Sequence, residues 1–540
     1  MRKLSIITAM LFTGGTLAFA QDMQDARRYS FNDYMGTARS MSMGNAFTAL
    51  GGDLGSIGIN PAGSAVNSYS QFTITPNVSI AGTETTYTPA PGLTGDNQVM
   101  ITNTSRTRVT LPNIGFVVNW NPNDGSSIKT VSVGIVGNMT ANYSNKIDGR
   151  GINAETSLLG EKADFFTQNN YNYWSFFDAT YGGINRNAFN NFGWEDVLAA
   201  HTGMITTYGG SDTNWIGATE TIFNDGTVGT AGLLDQRWRR VTSGYKYDLL
   251  GNVGINISNE LYLGLNVGMI AIDYTSNTYM QEVAVNTNDF FIPFDDGDTY
   301  FDSFRMSNWY NAKGAGVYGK FGFIYVPTPE FRIGAAFQTP GLINIKETWQ
   351  SYADIYYTDN KHSASEDSPE GEFEYNLITP LRFNIGAALN FGSGVVSADY
   401  EFTNYGSMRF RDVDGHSGEF RTTNDAIKDY MGKAHIFRLG AEFMLTPSFA
   451  VRAGYGFSTS PEYEYDNGSK KAVDAKTNTY SAGFGYSSSG SFFMDFAVRN
   501  TVLPEEYYYP YNSYIPGINS PEVAFKRNLW DVVLTLGWRF

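Results

Sequence analysis

The last eleven residues restrict this chain more than any other feature. Trp530, Val532, Leu534, Leu536, Trp538 and Phe540 fall on one face of an extended strand, with Asp531, Val533, Thr535, Gly537 and Arg539 on the other. An unbroken apolar stripe of period two with aromatics at both ends suits a strand that faces lipid between two aromatic girdles. The pattern recurs in Leu261, Leu263, Leu265, Val267 and Met269, in Phe331, Ile333, Ala335 and Phe337, in Phe383, Ile385, Ala387 and Leu389, and in Phe437, Leu439, Ala441 and Phe443. The opposite faces carry Gly, Ala and Asn with single charges. A soluble sandwich or propeller, the competing reading, would set long charged side chains there, whereas small residues suit a crowded lumen.

No apolar run after Leu4–Phe12 reaches the ~18 residues of a membrane-spanning helix, and mean hydropathy is negative, −0.27. Yet 15% of residues are aromatic and 58 are glycine, a combination that spanning barrels use at their interfaces and lumens. The connections alternate. Short links at 121–127, 258–260, 327–330, 392–393, 446–447 and 487–490 separate long polar-aromatic stretches centred near residues 90, 190, 295, 360, 420, 468 and 515. Strands between them number about fourteen. The expectation is an all-β membrane protein, an antiparallel transmembrane β-barrel of about fourteen strands. Both barrel ends lie on the short-turn side, which faces the periplasm in outer-membrane barrels.

Arg2 and Lys3, the apolar run and Ala18-Phe19-Ala20 read as a secretory signal peptide over 1–20, cleaved near Ala20, with delivery to a Gram-negative outer membrane. Residues 21–66 do not fit the strand pattern. Met43, Ala46, Phe47 and Leu50 have helical spacing and precede Gly51-Gly52 and Asn60-Pro61-Ala62-Gly63. This segment is expected to fold back as an N-terminal hatch plugging the lumen. Residues 67–540 form the barrel with long extracellular loops, the longest about 144–240.

Other chemistry is thin. There is no cysteine, so lipid anchoring through Cys, disulfides and thiolate metal sites are excluded. A formal net charge of −16 argues against a nucleic-acid partner. His201, His362, His416 and His435 stand apart in sequence, giving no metal site and no cofactor. Gly485-Tyr486-Ser487-Ser488-Ser489 is not a nucleophile elbow. The chain is read as a non-enzyme.

Gly36-Thr37-Ala38-Arg39-Ser40-Met41-Ser42-Met43-Gly44-Asn45-Ala46-Phe47-Thr48-Ala49-Leu50, followed by Asn60-Pro61-Ala62-Gly63, resembles the hatch of the FadL family of outer-membrane transporters for long-chain fatty acids and aromatic hydrocarbons. Weaker similarity runs through Leu377–Phe383 and Asp399-Tyr400-Glu401 to the last strand. The resemblance implies fourteen strands, a plugged lumen, passive uptake of a hydrophobic ligand and lateral exit beside a kinked third strand. It places hatch roles on Gly44, Phe47, Asn60, Pro61, Ala62 and Gly63. The third strand here is Ile128 to Tyr143, where Gly134 and Gly137 are candidates for the lateral gate, although alternation is regular and no kink is visible.

Tyr173, Trp174, Phe176 and Phe177 either line a ligand groove or pack the long loop onto itself. Arg332, Arg382, Arg438 and Arg452 point inward, where they pair with a ligand carboxylate or with lumen acids such as Asp399, Glu442 and Asp495. Trp538 and Phe540 form an assembly signal, by resemblance to other barrels, for the barrel assembly machinery. The remaining expected partners are outer-membrane lipid and a hydrophobic small molecule, and the chain is read as a monomer. A surface adhesion or structural barrel and a general porin are the alternative functions.

Overall fold

The structure is a computed structural model that describes residues 22–92, 95–122, 125–178, 183–294, 296–466 and 468–540. The signal peptide expected over 1–20 lies outside the described residues.

Fourteen antiparallel strands close on themselves. They are β1 (Gln71–Thr88), β2 (Met100–Trp120), β3 (Ile128–Asn142, resuming at Asn145–Asn153), β4 (Leu234–Ile257), β5 (Leu261–Ala284), β6 (Thr299–Thr328) and β7 (Phe331–Gln338, resuming at Leu342–Tyr357). The second half comprises β8 (Gly371–Ile378, resuming at Arg382–Phe391), β9 (Gly394–Asn404, resuming at Arg409–Arg411), β10 (Lys433–Thr446), β11 (Phe449–Thr459), β12 (Lys476–Ser487), β13 (Phe492–Val502) and β14 (Glu522–Arg539). β14 pairs with β1 from Gln71↔Arg539 to Thr88↔Glu522, which removes the open edge. The strand count and the alternation of short turns with long loops agree with the sequence reading.

The alternating stripes face outward. Leu265, Val267, Met269, Ile385, Leu389 and Leu439 are exposed apolar residues on a protein whose mid-height surroundings must therefore be lipid. On β14, exposed Trp530 and Trp538 bracket this band. Their eight-residue separation spans about 26 Å along the strand, or about 20 Å across the membrane at a tilt of about 40°, most of the apolar band. Tyr455 and Tyr480 belong to the same outer girdle as Trp530 by register and exposure.

β6 runs for 30 residues, about three times what crossing requires. The strands therefore continue beyond the lipid, which changes the reading of the longest loop. Residues 145–153 and 234–240 of the stretch read as loop are strand, paired from Asn145↔Thr242 to Asn153↔Leu234. Between them lie α3 (Leu158–Gln168) and α4 (Trp194–His201). The start of α3 is held by a wall residue, because Glu282 of β5 accepts from the Leu158 amide at 2.9 Å and from Ser157 Oγ at 2.5 Å. A carboxyl oxygen at a helix N-terminus satisfies donors that the helix leaves open. Phe166, Leu198 and Trp215 of this region share one core with inward-facing Trp238, Met280, Phe304 and Ile355. The long loop thus fills the upper mouth.

Candidate functional site

Residues 22–66 lie inside the barrel. α1 (Met23–Ser30) sits high: Arg27 and Gln24 donate to Glu462, in the long loop after β11, at 2.6 and 3.1 Å. The described chain therefore begins on the long-loop side, although β1 itself starts at the short-turn side. The chain then descends through α2 (Ala38–Ser42) and two 3-10 turns, Gly55–Gly58 and Pro61–Val66. Nearly all of this stretch is buried.

The wall is shaped to receive it. A Cβ at Gly264, Gly322, Gly334 or Gly454 would overlap the Ala62 amide, the Asn60 side chain, the Thr48 carbonyl or the Gly44 amide, respectively. Glycine on these lumen faces lets the two backbones touch.

The six residues singled out in this segment divide by role. Gly44 adopts φ +62°, followed by Asn45 at +60°, and the Gly44 amide donates to Ser481 Oγ at 3.2 Å. Phe47 is fully buried against Tyr34, Leu50 and Ala388. Asn60 caps the second turn by accepting from the Ala62 amide at 3.1 Å, while its Nδ2 donates to the Thr48 carbonyl at 2.6 Å and to Phe323 of β6 at 3.0 Å. The Pro61 carbonyl accepts from Asn252 of β4 at 3.1 Å. Ala62 packs on Tyr262 and Ile324, and Gly63 meets Gly51 at a backbone crossing with no room for a Cβ. The Asn60 turn thus joins the segment to itself and to two wall strands.

Three of the four candidate arginines already have acids. Arg382 and Arg438 both donate to Glu401, at 2.9 and 2.8 Å. Arg452 donates to Glu442 at 2.5 Å and to Asp495 at 2.7 Å, and Arg39 of the segment donates twice to Glu442, both at 2.9 Å. Arg332 differs. It donates to the Leu50 carbonyl at 3.1 Å, forms no ion pair among the described residues, and faces a cavity of about 700 Å³ at the short-turn end. Buried arginine with well-formed acid partners leaves little to offer a ligand.

The wall is interrupted at one place. The β2–β3 ladder runs from Trp120↔Val131 to Asn113↔Asn138 and stops there, while β2 continues upward paired with β1 to Met100. Above this point β3 shifts register against β4 between Met139 and Ala141, and after Asn142 it passes onto the inner side of β1, where Thr83 Oγ1 donates to Asn145 Oδ1 at 3.0 Å. The freed edge of β3 finds another partner: the Asp33 amide donates to Thr140 at 2.7 Å and the Met35 amide to Met139 at 3.1 Å. Gly134 and Gly137 do not mark the interruption. They pair with Val117 and Ile114 in the regular ladder below it.

A usable signal lay one strand earlier. Pro76 and Pro112 stand inside β1 and β2, where the β1–β2 register slips between Thr75↔Asn113 and Asn77↔Thr110. Proline inside a strand removes a ladder donor and is confined to bulges and edges.

Across the interruption, side chains replace the ladder. Tyr247 of β4 donates to the Leu111 carbonyl, Arg106 to the Thr242 carbonyl at 2.8 Å, and Thr104 to the Lys146 carbonyl at 2.7 Å. In lipid every exposed backbone group needs a partner, so the seam is laced rather than open. Behind it, the mid-lumen is aromatic: Tyr29 of α1 meets Tyr274 edge-on at 6.3 Å, as Tyr143 does at 5.3 Å, and the Tyr29 and Tyr310 hydroxyls lie 3.1 Å apart.

The four loop aromatics do not form one groove. Phe176 is fully buried, 5.0 Å from Phe166 and 4.6 Å from Phe192. Tyr173 and Phe177 stack at 4.4 Å, and Trp174 is exposed. His362, isolated in sequence, lies between Asp359 and Asp296, with 2.6 Å to each, because two loops meet there. These bonds hold its imidazolium and raise its pKa, the Asp296 bond contributing most.

No family model matches the chain, and neither does any curated protein. Among solved structures, the chain is similar to a FadL homologue of Pseudomonas aeruginosa at 12% identity and a TM-score of 0.48, covering 94% of this chain and 99% of that one. It is likewise similar to the Pseudomonas putida toluene transporter TodX (11% identity, TM-score 0.47) and the Ralstonia pickettii toluene transporter TbuX (14% identity, TM-score 0.46), each covering 94% of this chain and 99% of the other.

Proposed function

We propose that this chain is an outer-membrane transport protein for passive uptake of hydrophobic compounds, long-chain fatty acids or aromatic hydrocarbons, with residues 22–66 as its hatch and the β2–β3 seam as its lateral exit. One juxtaposition carries the reading. The straight path through the barrel is filled by the segment 22–66, while the wall is interrupted beside the same segment, at Met35 and Met139. A general porin needs an open aqueous lumen, which this arrangement does not offer.

The energetics suit a passive conduit. Burying each methylene is worth roughly 0.8 kcal/mol, so an apolar molecule gains by leaving water for the aromatic mid-lumen and then for lipid. Movement follows the gradient, no cofactor is needed, and the chain is not an enzyme. Loosening of the hatch at Asp33 and Met35 would free the β3 edge and widen the seam. The reading includes a monomer, cleavage near Ala20, and recognition of Trp538 and Phe540 by the assembly machinery.

The test is uptake of a labelled long-chain fatty acid or toluene by proteoliposomes. Uptake faster than into empty liposomes, and faster still after deletion of residues 22–66, is expected. Equal rates with and without the barrel would overturn the reading.

A further inference from the structure

The seam carries a charge pattern that a purely apolar exit would not need. Arg106 and Arg108 lie two residues apart on the same face of β2, in the stretch that has lost its β3 ladder. Their level is fixed by register. Thr107, between them, pairs with Ile80, and Ile80 pairs with Trp530 of the outer girdle. Thr107 is the outward, exposed residue, so Arg106 and Arg108, both half-buried, extend from the inner face of β2 near the level of that girdle.

Neither has an acid. Arg106 donates to the Thr242 carbonyl at 2.8 Å and Arg108 to Ser144 Oγ at 3.4 Å, both neutral acceptors, and neither forms an ion pair among the described residues. Deeper in the lumen Arg382, Arg438 and Arg452 have carboxylates, at Glu401 and Glu442, while Arg332 has a backbone carbonyl. Acidic residues also outnumber basic ones, 53 to 37, over the whole chain. Two adjacent like charges left without counter-charge repel each other, and an anion between them relieves both. Arginine in particular offers a planar fork matched to carboxylate or phosphate.

We infer that Arg106 and Arg108 form a site for the anionic head of an amphiphile at the outer-leaflet end of the seam. This rests on the lateral-exit reading and deepens it: the apolar tail lies against Tyr247 and the interrupted wall while the head is held at the rim. Two sources share the chemistry, the carboxylate of a transported fatty acid and the phosphate of a resident lipid.

The experiment compares wild type, R106Q/R108Q and R106K/R108K, each checked for assembly by heat-modifiable migration in gels. Proteoliposomes are given a labelled fatty carboxylate or neutral toluene, and retained lipid A phosphate is measured by native mass spectrometry. If the carboxylate is the ligand, R106Q/R108Q takes it up about tenfold more slowly, toluene uptake is unchanged and R106K/R108K recovers most of the rate. If lipid phosphate is the ligand, R106Q/R108Q loses bound lipid A with both uptakes unchanged. Equal slowing of both molecules, or no change in uptake and lipid retention, would overturn the site. Failure of wild type to take up either molecule would instead sink the transport reading, and leave the lipid A measurement to decide the anion site.

Discussion

The Met35 amide donates to the Met139 carbonyl at 3.1 Å, and by that bond the third strand exchanges a strand neighbour for the N-terminal segment. The wall and the N-terminal segment are thus one hydrogen-bonded unit where the ladder fails. A chain without native cysteine allows a clean tether. Oxidised M35C/M139C is expected to fix the segment against β3 and slow uptake of hydrophobic compounds several-fold, with recovery after reduction. Equal rates in both redox states would show that this contact does not move.

The opposite side of the N-terminal segment is held by charge. Glu442 receives Arg39 of the segment and Arg452 of β11. Replacing it by Gln leaves Arg39 without a carboxylate and Arg452 with Asp495 alone, a loss of up to about 3–5 kcal/mol for a buried pair. The wall ladder does not depend on this residue. E442Q is expected to assemble normally and to expose amides of residues 36–66 to faster hydrogen exchange, with little change in the strands. Unchanged protection of the segment would contradict the ionic tether.

In the long loop, burial pushes the Glu220 carboxyl up to about 7, partly offset by the Gly217 amide, which donates to it at 2.8 Å. At pH below the ordinary value of 4.5, docked and released loops both hold the proton. Between 4.5 and about 7 the released loop has lost it and the docked loop keeps it, so docking weakens as pH rises through that window and is constant above it. Amide protection of α3, corrected for intrinsic exchange rates, is expected to fall from pH 5 to pH 8 in wild type and to fall less in E220Q, where Glu161 of α3, also raised to about 7 by burial, still titrates. Protection that rises with pH would refute the assignment.

The barrel closes through its last residues. The Phe540 amide and carbonyl both bond with Ser70 at 3.0 Å, and Trp538 lies 6.1 Å from Phe72 and 5.6 Å from Phe492. Removing Trp538 to Phe540 takes away the lower end of the β1–β14 seam and its aromatic contacts. Such a truncation is expected to yield no heat-modifiable, membrane-inserted barrel. Normal insertion would show that these residues are dispensable for assembly.

Much of this architecture is written in side-chain alternation. Period-two stripes such as Leu265, Val267 and Met269 show which face meets lipid because lipid tolerates no mixed face, and turn residues at 258–260 or 392–393 locate hairpins. Partnerships across the lumen are not written locally. Arg382 is opposite Thr403 in the ladder and finds Glu401 diagonally, and Arg39 reaches Glu442 only because the segment 22–66 folds inward. The seam was legible in part, through Pro112 in β2, but reading glycines as the weak point placed it at Gly134 and Gly137, below the break. Phe176 and Trp174 stand two positions apart in a short turn, which sends one inward and the other to solvent, and no periodicity marks that difference.

The most direct test measures conductance and hydrophobic uptake on the same reconstituted protein. A plugged barrel with a lateral exit predicts uptake of a labelled fatty acid or toluene together with no large steady current across a planar bilayer, and a steady current only after residues 22–66 are removed. A large steady current through the intact protein without hydrophobic uptake would contradict the account.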